Sequence, residues 1–318
     1  MEVAEDYPRT LAEFEGRFAT EQACREYLAQ WRWRKGFACP QCSGKTCWRT
    51  KRGLWMCATC GHQASVTAGT IFQDTHKPLT LWFRVIWWVS CQKNGASALN
   101  LQRVLGLRSY ETAWGWLHKL RRAMVRPGRD RLSGRVEVDE TCLGGLEEGH
   151  RGRGQRKKVL IVVAAQEDGR GIGRVRMRRI PDASAKSLHP FILDSVAPGS
   201  VVCTDNWTGY AGLEAKGYVR AVTPQKEQKR TGESVLPRVH RVVSLLERWL
   251  MGTHQGAVSH EHLEYYLDEF TFRFNRRRSA SRGKLFYRLV QQAVLGEPVP
   301  YARLVKGIRR HEIANHNR

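Results

Sequence analysis

Two Cys-x2-Cys pairs, Cys39/Cys42 and Cys57/Cys60, stand fourteen residues apart and constrain this chain more than any other feature. Each tight pair presents two thiolates on one knuckle, and two knuckles carried by facing hairpins close a tetrahedron around zinc. Gly44, Gly53 and Gly61 fall beside the knuckles, where such turns need them. The alternative is two unrelated pairs of buried cysteines, and the spacing favours a zinc ribbon. Four thiolates leave no open position, so the expected zinc is structural, with binding worth on the order of 10 kcal/mol of folding free energy. Cys24, Cys47, Cys91, Cys142 and Cys203 are scattered, and nine is an odd count. The N-terminus MEVAEDYPRT is acidic and lacks an apolar signal segment. A disulfide framework is therefore not expected, and the compartment reads as a reducing cytoplasm.

Around the ribbon the pattern is helical. Leu11, Phe14, Phe18, Cys24, Tyr27, Leu28 and Trp31 recur at helical spacing, with a break expected near Thr20. A Trp-rich helix is expected from about Pro78 to Lys93. Two further helical stretches, SALNLQRVLGL and SYETAWGWLHKLRRAM, meet at Gly106-Leu107-Arg108. That is the layout of a helix-turn-helix, with Tyr110, Thr112, Trp114 and His118 on the second helix, though helical hairpins are also ordinary packing units. With 53 Lys+Arg against 30 Asp+Glu the net charge is +23. Such an excess self-repels unless a polyanion neutralises it; nucleic acid is the first partner to consider and an acidic membrane surface the second. The most apolar stretch, LWFRVIWWVSC, is too short to span a bilayer and contains Arg84.

From Gly134 strands take over. GRVEVDETCLGG places Glu137, Asp139 and Glu140 where packing residues usually stand. The plain reading is an exposed edge strand with a solvated acidic face. KVLIVVAAQE, GRVRMRRIP, a helix from Ala183 to Ser195, SVVCTDNWTGY, a further helix, the short strand YVRAV and more helices follow. This order matches an RNase-H-like mixed sheet, whose first and fourth strands lie side by side. Asp139 and Asp205 would then meet at strand ends, where paired carboxylates persist mainly around a divalent cation. Taken alone, Asp205 is equally a turn or N-cap residue. Magnesium suits oxygen ligands, and two ions roughly 4 Å apart can activate water and stabilise a leaving 3′-oxygen. The expected architecture is α+β and multi-domain: an N-terminal helical segment (1–35), a zinc ribbon (36–75), a helix-turn-helix-like DNA-binding region (76–130), an RNase-H-like mixed α/β domain (131–280) and a basic C-terminal tail (281–318).

The ribbon, the helical region, VEVDET, TDNWTGY and HRVVSLLERWLMGTHQGAVSHEHLEYYLDEFTFRFNRR, in that order, resemble the bacterial insertion-sequence transposases of DDE type. The resemblance runs from Cys39 to about Arg278. It implies metal-dependent cleavage and strand transfer at transposon ends, a nucleoid-associated cytoplasmic protein, and homo-oligomers on DNA. It carries Asp139 over as the first metal carboxylate and Asp205 as the second. The third position departs from the family's pattern, which has Glu or another polar residue and a Lys seven residues later. Counted back from GTHQG, these positions hold His240 and Glu247. Seven residues make nearly two helical turns, about 10 Å along the axis, so Glu247 cannot simply replace a carboxylate at position 240. His240 can ligate a metal, manganese more readily than magnesium, or act as a general base; a catalytically weakened copy is the other reading. In YYLDEFTFRFN, Tyr265, Leu267, Phe270 and Phe274 read as core, and Asp268 and Glu269 as solvent-facing or ion-paired. The basic run FRFNRRRSASR and the end of the chain read as phosphate contacts rather than a merely solvated face.

Two other functions fit parts of this pattern. A domesticated, non-catalytic regulator would keep the ribbon and helix-turn-helix, and a nuclease of the same fold would cut without joining. A pure regulator has no need of both Asp139 and Asp205.

Overall fold

The computed structural model describes residues 5–126, 128–144, 158–222 and 235–306. They form two compact units: one combines the residues up to Arg126 with the stretch beginning at Arg278, and the other is built from the residues between them, ending at Arg277.

In the first unit, α1 (Leu11–Arg17) and α2 (Glu21–Arg32) start at Thr10 and Thr20. The two threonine hydroxyls accept from the amides of Glu13 and Ala23, which fixes the expected break without a full capping box. The ribbon contributes the antiparallel strands β1 (Cys47–Arg49), β2 (Trp55–Cys57) and β3 (Gln63–Ala64). The helices α3 (Leu79–Cys91), α4 (Ala98–Leu105) and α5 (Tyr110–Ala123) follow. Gly106 ends α4 in the left-handed conformation (φ 60°) and Ser109 caps α5, so the short turn expected there is present.

The stretch expected to be a basic tail contains instead α9 (Arg282–Leu295), followed by α10 (Tyr301–Val305). Leu285, Phe286, Leu289, Val290, Ala293 and Val294 recur at helical spacing and are buried. The Phe286 ring packs on Phe14, Phe18, Phe83 and Trp87 at centroid distances of 5.4 to 5.7 Å. Charge dominates a linear reading of this stretch, whereas its apolar stripe decides where it goes. Gly283 permits the contact, because a Cβ there would run into the Pro8 carbonyl. Residues 307–318 lie outside the described residues.

The second unit is a five-stranded sheet with helices on both faces. Its strands are β4 (Arg135–Leu143), β5 (Val159–Asp168), β6 (Gly171–Arg179), β7 (Val201–Thr204) and β8 (Val219–Val222). Their order is β6-β5-β4-β7-β8, with β5 antiparallel to β4 and β6, and β7 and β8 parallel to β4 and to each other. This is the RNase-H-like arrangement. On one face α6 (Ala185–Ser195) packs over Val136, Val138, Val162 and Ala164. On the other, α7 (Pro237–His254) and α8 (Leu263–Phe274) cover Leu143, Val163, Val175 and Cys203. The helix expected between β7 and β8 is replaced by two 3-10 turns, Thr208–Tyr210 and Glu214–Lys216. Gly212 and Gly217 take left-handed φ values there, which a continuous helix would not accommodate. The glycine-rich basic connection after β4 lies largely outside the described residues. Among the described residues, no helix is long and apolar enough to cross a membrane.

Candidate active site and metal centre

The ribbon brings its four cysteines together as expected. The sulfurs of Cys39, Cys42, Cys57 and Cys60 all lie within 4.8 Å of one another, with 3.7 Å between Cys39 and Cys60 and 3.6 Å between Cys42 and Cys57. Tetrahedral zinc with sulfurs at about 2.3 Å requires sulfurs about 3.8 Å apart, so the set fits. Its acid–base character also calls for a cation. The Cys60 amide, with that of Thr59, draws the Cys57 thiol down to about 6. The Gly44 amide acts the same way on Cys42, yet crowding by the thiols of Cys60, Cys57 and Cys39 drives it up to about 12. Four sulfurs this close cannot all ionise until a dication neutralises them.

In the sheet, side-chain parity distributes the three acidic residues of β4. Successive residues of a strand point to opposite faces, so Glu137 and Asp139 face α7 while Glu140 faces α6. Glu140 accepts the Tyr210 hydroxyl at 2.6 Å. Burial, and then the charge and hydrogen bond of Glu140, hold the Tyr210 hydroxyl well above its ordinary range; Asp139 and Asp205 add to the effect. Glu137 is buried and accepts from the amides of Arg238 and Val239 in the first turn of α7. The expected alternative, a solvated acidic edge, therefore does not hold: β4 is the central strand, and its acids are engaged.

Asp139 and Asp205 are carried by two neighbouring parallel strands. The parallel pairing of β4 with β7 sets Glu137 opposite Cys203, and each aspartate stands two residues further on. Asp205 lies just past the end of β7, and its Oδ1 accepts the Trp207 amide at 2.9 Å. Asp139 Oδ1 accepts the Glu140 amide, and Asp139 Oδ2 lies 3.3 Å from His240 Nε2. That hydrogen bond, supported by the charges of Asp139 and Glu137 against partial desolvation, raises the His240 pKa. Glu247 is exposed, two turns further along α7. The residue meeting Asp139 is thus His240 rather than Glu247.

Two partly accessible carboxylates suit a hard divalent ion that keeps waters, and an imidazole beside them suits manganese better than magnesium. Adjacent ligands about 2.1 Å from an octahedral ion sit about 3 Å apart, which the 3.3 Å between Asp139 and His240 approaches. Asp139, Asp205 and His240 do not close into one tight cluster, however. Among the described residues the four cysteines alone do so. A cleft of about 610 Å³ lined by Cys142, Lys158, Ser184 and Trp207 opens nearby. Cys142 shares the Glu140 parity, so the cleft opens on the Glu140 side of β4, and Trp207, bonded to Asp205, lies in its lining.

Other expected positions sort by burial. His118 is fully buried, with its ring 4.0 Å from Trp114 and its Nε2 3.3 Å from Arg121, which places it in the core and away from a nucleic-acid face. Tyr110 is exposed, and Thr112 and Trp114 are partly so. Asp268 and Glu269 are buried rather than solvent-facing; Glu269 pairs with Arg273 at 2.9 Å, the ion pair that the sequence allowed. Tyr265, Leu267, Phe270 and Phe274 are core, as expected. Sequence reading missed the roles of Glu137, Arg238 and Tyr210. Strand parity alone placed Glu137 on the Asp139 face, and it was the available signal.

Comparison with known proteins bears on the same residues. Residues 131–275 match the ISXO2-like transposase domain, and residues 19–63 match the transposase zinc-ribbon domain. The chain is 27% identical over 278 residues to an uncharacterized protein in transposable element ISH50 of Halobacterium salinarum, covering 80% of this chain and 91% of that protein. The cysteine cluster lies in one match and the carboxylate-bearing sheet in the other, so the chain joins a stretch similar to the zinc ribbon of insertion-sequence transposases to one similar to an ISXO2-like transposase domain.

Proposed function

We propose that the chain is an active DNA transposase that cuts and joins strands at the ends of its element, with Asp139 and Asp205 holding divalent ions and His240 in the third position. One observation chiefly supports it: His240 meets Asp139, and the β4–β7 register, followed two residues beyond the paired Glu137 and Cys203, would bring Asp205 to the same face. Magnesium or manganese bound at this face would supply the Lewis acidity that activates the attacking oxygen and offsets charge on the leaving 3′-oxygen. Asp139 orients the His240 ring, and an ion bound there would take the place of the proton that Asp139 Oδ2 and His240 Nε2 otherwise share. Glu247, exposed and two turns away, plays an outer or structural part. Zinc at Cys39, Cys42, Cys57 and Cys60 stabilises the ribbon. The positive charge of the chain binds DNA backbones at the element ends and the target. Joining two ends calls for at least two copies, so a homo-oligomer assembles on DNA, in the nucleoid.

The test is cleavage and joining of element-end DNA by the full chain with each metal. Asp139→Ala and Asp205→Ala should abolish cleavage while DNA binding is kept or strengthened, because each removes a charge that repels phosphate. Binding without any cleavage by the unmodified chain would point to a regulator, and cleavage without joining to a nuclease.

A further inference from the structure

Helix α7 begins without a capping side chain of its own. Leu236 stands at the N-cap, Pro237 follows it, and among the described residues no local side chain caps the first amides. Glu137 takes that role from the sheet. Its Oε2 accepts the amides of Arg238 at 2.7 Å and Val239 at 3.0 Å, and its Oε1 accepts from the Arg238 guanidinium at 2.9 Å. The same guanidinium reaches Glu167 at 3.0 Å and the carbonyls of Gly169 and Gly171 at the β5–β6 turn. Glu137 is two residues before Asp139, and Arg238 is two residues before His240. One buried carboxylate thus ties the start of α7 to the strand that carries Asp139.

We infer that Glu137 is a positioning residue: with Arg238 it sets the height and rotation of the first turn of α7, and so holds His240 against Asp139. A helix N-terminus with no cap frays, and a frayed first turn would carry His240 with it. The carboxylate is required as such. Both of its oxygens act as acceptors toward donors, so the amide of a glutamine would turn an N–H against either the helix amides or the guanidinium. The part played by His240 in catalysis belongs to the function proposed above; the clamp itself does not depend on it.

The experiment therefore has two arms on the full chain. In the first, amide hydrogen exchange compares the unmodified chain with Glu137→Gln and Glu137→Ala. Exchange at Val239 to Arg241 should quicken by about ten-fold or more while Leu246 to Leu250 keep their protection, as expected for loss of a cap. Unchanged exchange in the first turn would overturn the clamp, whether or not the chain cuts DNA. In the second arm, cleavage of element-end DNA is measured for Glu137→Gln, His240→Ala and the double variant. Glu137→Gln should lower kcat about ten- to a hundred-fold with KM for DNA little changed, the usual size for a group that orients a ligand. In the His240→Ala background the same change should cost little more, because its effect passes through His240. Penalties that multiply in the double variant would mean that Glu137 acts on folding in general and would overturn positioning. A His240→Ala chain as fast as the unmodified one would also overturn it, and would at the same time remove His240 from the proposed site.

Discussion

Three acids within four positions of one strand take three separate tasks, and parity with burial decides which. Glu137 anchors a helix, Asp139 faces the imidazole, and Glu140 receives a buried phenol. At the third position, His240→Ala should cost much more cleavage than Glu247→Ala, with manganese supporting turnover at least as well as magnesium. Single-turnover cleavage with each metal checks this. If Glu247→Ala is as inactive as Asp205→Ala while His240→Ala cuts normally, the assignment of α7 is wrong. A second expectation concerns Glu269, whose side chain is fully buried against Arg273. Arg273→Met should destabilise the fold by about 3 kcal/mol, because it takes a guanidinium away from a fully buried carboxylate; urea unfolding measures it. The pairing of β4 with β7, on which the proposed meeting of the two aspartates rests, was legible in the sequence, because the order of strands and helices matches an RNase-H-like sheet. The anchoring part of Glu137 was not, since its partners lie 101 and 102 positions away and no local pattern announces a cap supplied across that distance.

At the scale of elements, spacing was a reliable guide wherever one interaction dominates. The cysteine knuckles depend on four sulfurs and two turns, and they assemble as their spacing dictates. We expect one zinc per chain by elemental analysis, and Cys57→Ser should lose it together with the cooperative folding of the ribbon; a variant retaining zinc would contradict this site. The five strands and the adjacency of β4 and β7 were equally readable, because apolar runs and turns alternate at regular intervals and their succession matches an RNase-H-like sheet. Reading failed where two signals compete within one segment. In α9 basic residues mask an apolar stripe, and after β7 glycines break a helix that the neighbouring residues would support. On α5, helical spacing grouped His118 with Tyr110, but spacing alone cannot tell an exposed face from a buried one.

Over the whole molecule, the excess of 53 basic over 30 acidic residues should make DNA binding strongly dependent on salt, each phosphate contact adding about 0.9 to the slope of log affinity against log salt. Binding titrations from low to moderate salt test it, and a flat response would contradict it. The pairing of α9 with residues near the start of the chain carries a different consequence, one of timing. A ribosome adds about 5–20 residues each second, so the Phe286 ring arrives roughly ten to thirty seconds after Arg126 has been made. Through that interval Phe14, Phe18, Phe83 and Trp87 lack the ring that they finally surround, while the sheet domain can emerge and close. The part of the protein made first is therefore finished last. A chain ending at Arg277 should accordingly be poorly soluble and lack a cooperative first unit, whereas one extended through α10 should regain it. In genetic terms, a copy of the gene interrupted before the α9 codons should yield a fragment whose helices lack their closing partner, and so a weak competitor of the intact protein for DNA.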